Sequence, residues 1–148
     1  MRCNILPVKA LLDQHLIAEK RELRMIPPLL EKRVKSGKDL CAGIPAQYTL
    51  GSGHMLFWLN KMNYLYNRFD SLAKEMQDRG FKVDPHLTFD MNYAKLYKMD
   101  GDWEPQLGDY SIIVARLKEK IAMRPGWYRY RGLPISQSWA NSMYNQYE

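Results

Sequence analysis

The sequence predicts an all-α fold: one domain of three main helices joined by long irregular connections. Three apolar patterns carry this. Leu12, Leu16, Leu23, Ile26 and Leu30 recur at helical spacing. Leu59, Met62, Leu65, Phe69, Leu72 and Met76 follow one another at steps of three or four, and Ile113, Leu117 and Ile121 at steps of four. Each set lines one face of a helix and marks a candidate core.

The first helix is expected to begin near Pro7 or Leu11 and to reach about Ser36, with Gly37 as its stop. Pro27-Pro28 must kink or break it, because each proline removes an amide donor and crowds the preceding turn. The second helix lies within the stretch Gly53 to Gly80, and Gly80 ends it. The third runs from about Asp109 to Met123 and is terminated by Pro125-Gly126. The segment between the second and third helices has no sustained period and reads as a packed loop with short turns. The Ser-, Asn-, Gln- and Tyr-rich tail after Gly132 is a C-terminal extension from about residue 133. Whether it packs on the core or extends a binding surface is open at this level.

A chain of 148 residues favours one domain, 1–148, and can bury a core without staples. With 46% hydrophobic and 26% charged residues the composition is globular rather than disordered. The net charge of +6 points to a polyanionic partner. Cys3 and Cys41 have no metal-ligand spacing and are too few for a disulfide framework, so a reduced, cytoplasmic setting is expected. The amino terminus lacks the apolar run of a secretory signal, and no segment approaches the ~20 apolar residues of a membrane span. No membrane partner, metal or cofactor is expected, and a monomer is the default.

Two stretches carry candidate chemistry. Arg116, Lys120 and Arg124 step by four and form a basic stripe that can follow a phosphate backbone. The stretch WYRYRG, Trp127 to Gly132, follows at once. Aromatics between arginines, Trp127 and Tyr128 first, can stack on bases while cations hold phosphates. A solvated helix followed by an aromatic plug in the core is the competing reading.

The second stretch is DQHLIAEKREL, Asp13 to Leu23. Positions seven apart nearly eclipse on a helix, so His15 and Glu22 share a face, as do Gln14 and Arg21. Ala18 lies between the pairs with almost no bulk, leaving a shallow polar concavity that holds a carboxylate. A carboxylate beside arginine is usually an ion pair and a lone histidine usually structural, so spacing alone leaves the site open.

DQHLIAEKREL resembles the pattern DQHLxAExREL of the pyrimidine-dimer DNA glycosylase/AP lyase family, the phage-type endonuclease V enzymes. Asp13, Gln14, His15, Leu16, Ala18, Glu19, Arg21, Glu22 and Leu23 match. LGSGH, Leu50 to His54, is similar to the family's segment before its second helix. ARLKEKIAMRPGWYRYRG, Ala115 to Gly132, is similar to its third helix and aromatic tail. The resemblance spans about residues 1–132 and is poor from about Val83 to Leu107.

The resemblance implies a helical enzyme that binds damaged duplex DNA, removes a base at a cyclobutane pyrimidine dimer and cuts the strand by β-elimination, without a metal. The nucleophile is the α-amine of the first residue, which forms a Schiff base at C1′. An α-amine has an unperturbed pKa of about 7.7–8.0, so a useful fraction is neutral near physiological pH. Carried over, Glu22 is the catalytic glutamate, stabilising positive charge at the sugar and assisting proton transfers. Arg21 holds phosphate, Arg2 stands beside the nucleophile, and Gln14 and His15 are walls of the site. Arg116, Lys120 and Arg124 face DNA.

The sequence departs from the pattern at its start. Phage members begin Met-Thr-Arg and lose the methionine; here Met1 falls where the threonine stands and Arg2 where its arginine stands. A retained Met1 is the expected nucleophile. After Glu22, Met25 holds a family basic position and Arg24 stands one step earlier, about 100° round the helix. Lys20 replaces a common aromatic. Two alternatives stay open: a non-catalytic DNA-binding protein of the same fold, and a glycosylase for another damaged or modified base.

Overall fold

The computed structural model describes residues 3–148, so Met1 and Arg2 lie outside the described residues. Among the described residues the regular structure is helical apart from one small hairpin and an isolated bridge between Lys61 and Asp100, and long irregular connections join the helices. In order come α1 (Asp13–Leu23), α2 (Ile26–Lys35), α3 (His54–Phe57), α4 (Met62–Asp78), α5 (Asn92–Leu96), α6 (Leu107–Met123), the strands β1 (Arg129–Tyr130) and β2 (Leu133–Pro134), and α7 (Gln137–Asn145). β1 and β2 pair antiparallel, Tyr130 opposite Leu133.

The three predicted apolar stripes are the core. Leu12, Leu16, Leu23, Ile26 and Leu30 from the first region, Leu59 to Met76 from the second, and Ile113, Leu117 and Ile121 from the third are all buried in one cluster. Each such side chain contributes roughly 1.5–3 kcal/mol by leaving water. α1 lies against α4, and α7 against α6. Gly37 and Gly80 follow their helices at φ 72° and 85°, the left-handed conformation that glycine adopts without penalty.

Three elements differ from expectation. The first helix is two helices, and the break falls at Arg24-Met25 rather than at the prolines; the Met25 amide closes the turn on Glu22 O at 3.0 Å. Pro27 and Pro28 lie in the first turn of α2, where an amide would lack a helical partner in any case, so they start a helix instead of breaking one.

The Gly53–Gly80 stretch is also divided. α3 ends at Phe57, and α4 starts afresh at Met62. The new start is capped from a distance: Met62 N donates to Met99 O (3.2 Å) and Asn63 N to Gly101 O (3.1 Å). A Cβ on Gly101 would stand 2.5 Å from Asn60 O, so this approach requires glycine.

The tail, finally, contains a helix. Ser136 caps α7 by accepting from Trp139 N at 3.0 Å, and Ala140 and Tyr144 are its buried residues. The extension packs on the core.

Candidate active site

α1 supplies both the frame of the site and its carboxylate. At its start, Asp13 is buried and accepts from Arg79 Nη1 (2.9 Å), Arg131 N (3.0 Å) and Gly132 N (2.8 Å). Gln14 donates through Nε2 to Trp127 O (2.7 Å) and accepts at Oε1 from Arg129 N (3.0 Å). The first turn of α1 is therefore tied to the backbone of the segment 127–132. Both polar atoms of the Gln14 side chain are occupied by that tie. Arg79 completes the clamp by donating to Leu11 O at 2.7 Å and by stacking its guanidinium 4.7 Å from the Tyr130 ring centroid.

One turn further along, Ala18 leaves a gap. The small cavity above it, about 70 Å³, is lined by Asn4, His15, Glu19, Glu22, Leu117 and Lys120. The structure thus brings His15 and Glu22 together around Ala18, and α6 adds Lys120 from across the notch. A larger open groove of about 720 Å³ beside Tyr64, Arg68 and Asp102 does not include Glu22.

Glu19 and Glu22 stand three residues apart in different surroundings. Glu19 is 2% exposed and makes a two-pronged ion pair with Arg68, both contacts at 2.9 Å. Burial pushes the Glu19 carboxyl up, and the Arg68 guanidinium opposes that. Burial also works against the charge on Arg68, but Glu19 outweighs it, and the guanidinium stays protonated. Its remaining arm donates to Leu6 O at 2.6 Å. Glu19 is a structural anchor, whereas Glu22 is half-buried and opens to the notch.

The chain's first described residues are pinned beside this notch. Cys3 N donates to His54 Nε2 at 2.6 Å, and Tyr48 Oη donates to Cys3 O at 3.1 Å. Because an amide can only donate, His54 Nε2 accepts; its Nδ1 therefore carries the proton and donates to Thr49 O at 2.8 Å. Leu6 N donates to Asn4 Oδ1 at 3.1 Å. Asn4 itself lines the notch. The LGSGH segment, seen in the sequence as a motif without a role, holds the entry of the chain through its histidine. Cys3 is buried next to Glu19, and burial, then Glu19, push its thiol well up; Cys41 is exposed, and both cysteines are free.

Of the cations expected at DNA, Lys120 lines the notch and the other described ones do not. Arg21 is exposed, and Arg24 donates to Thr88 O at 3.2 Å. Arg116 pairs with Glu119 at 2.9 Å. Arg124 is the C-cap of α6 with φ −138°, so the helical stripe keeps Arg116 and Lys120 and loses its third member. Arg124 turns instead onto the ring of Trp127, 4.0 Å from its centroid, and that ring is 45% exposed.

Tyr128 is not on the surface. It is buried, its ring lies 4.8 Å from that of His15, and its hydroxyl donates to Lys120 O at 3.4 Å. The competing reading of WYRYRG, an aromatic plug in the core, thus describes Tyr128, while Trp127 faces out. Met1 and Arg2 lie outside the described residues. Among the described residues no group of three or more His, Cys, Asp or Glu is placed to hold a metal ion.

Sequence reasoning missed Asn4, Arg68 and Tyr144, and named Glu19 and His54 only as motif matches without a role. One signal was readable: Arg68 falls three residues after Leu65 on the buried stripe of α4, where a charge demands a buried partner.

Fold and site together define a helical protein that holds a half-buried carboxylate in a notch that Lys120 also lines, on a chain of net charge +6, an arrangement suited to a polyanionic substrate. A model of the pyrimidine dimer DNA glycosylase family matches residues 1–89, which include α1, the His54 latch and α4. The chain belongs to this family of DNA-repair glycosylases, which act at pyrimidine dimers in DNA. Among the described residues no helix is long and apolar enough to cross a membrane.

Proposed function

We propose that this protein is a DNA glycosylase with AP-lyase activity that excises a base at cyclobutane pyrimidine dimers in duplex DNA and acts as a monomer. The α-amine of Met1 attacks C1′ as the bond from C1′ to the base breaks and the departing base takes up a proton; the bound amine then loses a proton, and the C1′–O4′ bond opens to a protonated O4′ as the protonated imine forms. Loss of a C2′ proton then expels the 3′ phosphate by β-elimination. Glu22 is the group at the reacting sugar: as a carboxylate it stabilises the cationic sugar, and it relays the protons of both steps. Arg2, Arg21, Arg24, Arg116, Lys120 and Arg124 hold the phosphates, and Trp127 offers an exposed ring for a base displaced from the stack.

The observation that carries this reading is the meeting of Glu22 and Asn4 in one notch. Asn4 stands three residues after the first amine, and Cys3, which precedes it, is pinned by His54 and Tyr48. The reach from the chain's start to the notch is therefore short. Defined duplexes carrying a cyclobutane dimer, an abasic site, an oxidised base or no lesion test it. Cleavage of the first two and not the others is expected. Cleavage only of another lesion would assign a different substrate, and binding without cleavage a non-catalytic role.

A further inference from the structure

α7 lies beyond the family match, yet it reaches the site. Tyr144 is fully buried, and its hydroxyl contacts two groups at the start of α1: N of the N-cap residue Leu12 at 3.0 Å and His15 Nδ1 at 2.7 Å. The Leu12 amide can only donate, so it occupies one lone pair of the hydroxyl oxygen. The hydroxyl proton then needs an acceptor. His15 Nδ1 supplies one if it carries no proton; if it did carry one, the Tyr144 proton would meet no acceptor among the described residues, and an unsatisfied buried donor is costly. Burial pushes the Tyr144 phenol up, so the hydroxyl keeps its proton.

We propose that Tyr144 is a positioning residue that fixes His15 as the Nε2–H tautomer, with its ring set as a wall of the Glu22 notch. The ring is held from two sides, by Tyr128 at 4.8 Å and Tyr144 at 5.9 Å between centroids. With Nδ1 accepting, the opposite edge of the imidazole is a donor, which suits a notch that holds a carboxylate and receives phosphodiester oxygens. The C-terminal extension thereby becomes part of the active-site scaffold. The effect on rate rests on the glycosylase reading; the tautomer does not.

Long-range ¹H–¹⁵N spectra of the full chain assign the tautomer directly. Wild type is expected to show His15 with a pyrrole-type Nε2 and a pyridine-type Nδ1. Tyr144→Phe keeps the ring and removes the hydroxyl. It is expected to mix the two tautomers and to slow single-turnover cleavage of dimer DNA about fivefold, with DNA affinity unchanged. A pyrrole-type Nδ1 in wild type overturns the proposal without any variant, so a misfolded Tyr144→Phe would not shield it. An unchanged tautomer and rate in Tyr144→Phe overturns it as well. Absence of cleavage by wild type would refute the proposed function and leave the tautomer result standing.

Discussion

Asp13 and Gln14 of α1 belong to one motif with His15, Ala18 and Glu22 but do different work. Asp13 and Gln14 are joined to the backbone of residues 127–132 and to Arg79, so they frame the site. His15, from the same turn, and Ala18 and Glu22, further along, line the notch. All five match the same family pattern, so a matched motif does not by itself separate scaffold from chemistry. Burial and hydrogen-bond partners do.

That contrast predicts opposite signatures for substitutions only a few residues apart. Glu22→Gln keeps the shape of the notch and removes its charge. Strand cleavage is expected to fall by about 10²–10⁴ with the thermal midpoint and DNA affinity retained. Unimpaired cleavage would remove Glu22 from the mechanism. Asp13→Asn should do the reverse: it breaks a buried ion pair and turns an NH2 donor toward groups that themselves donate, at about 3 kcal/mol by chemical denaturation. Gln14→Ala should be milder, about 1–2 kcal/mol, since two neutral hydrogen bonds are lost near the surface. Activity losses in both should follow the folded fraction. A stable but inactive Gln14→Ala would place Gln14 at the substrate after all.

The smallest effect expected is electrostatic. Lys120→Ala and Arg116→Ala should each weaken DNA binding without regard to sequence and flatten the dependence of log affinity on log salt by about one unit. The Arg116 change should be the weaker of the two, because Glu119 already partners that guanidinium. An unchanged slope in both would take α6 off the phosphates.

The division within α1 also shows what a sequence makes visible. The stripes of α1, α4 and α6 were legible because helical period is a local property, and so was the pairing of His15 with Glu22 across Ala18. The helix break was misplaced because proline interrupts a helix interior yet suits its first turn, and Pro27-Pro28 did not say which applied. α7 escaped notice because its buried residues, Ala140 and Tyr144, are too few to make a period. The rest of the site was hidden because Asn4 lines the notch, and Tyr144 contacts His15, from distant parts of the chain. Alternating residues such as Trp127 and Tyr128 also do not announce which of them faces out.

The central claim is that the first amine of the chain and Glu22 serve the same sugar. Borohydride reduction in the presence of dimer-containing or abasic duplex tests it most directly. A covalent protein–DNA adduct whose modified peptide contains the α-amine of Met1 is the predicted result. An adduct on an internal lysine, or no adduct under conditions in which the strand is cut, would contradict it.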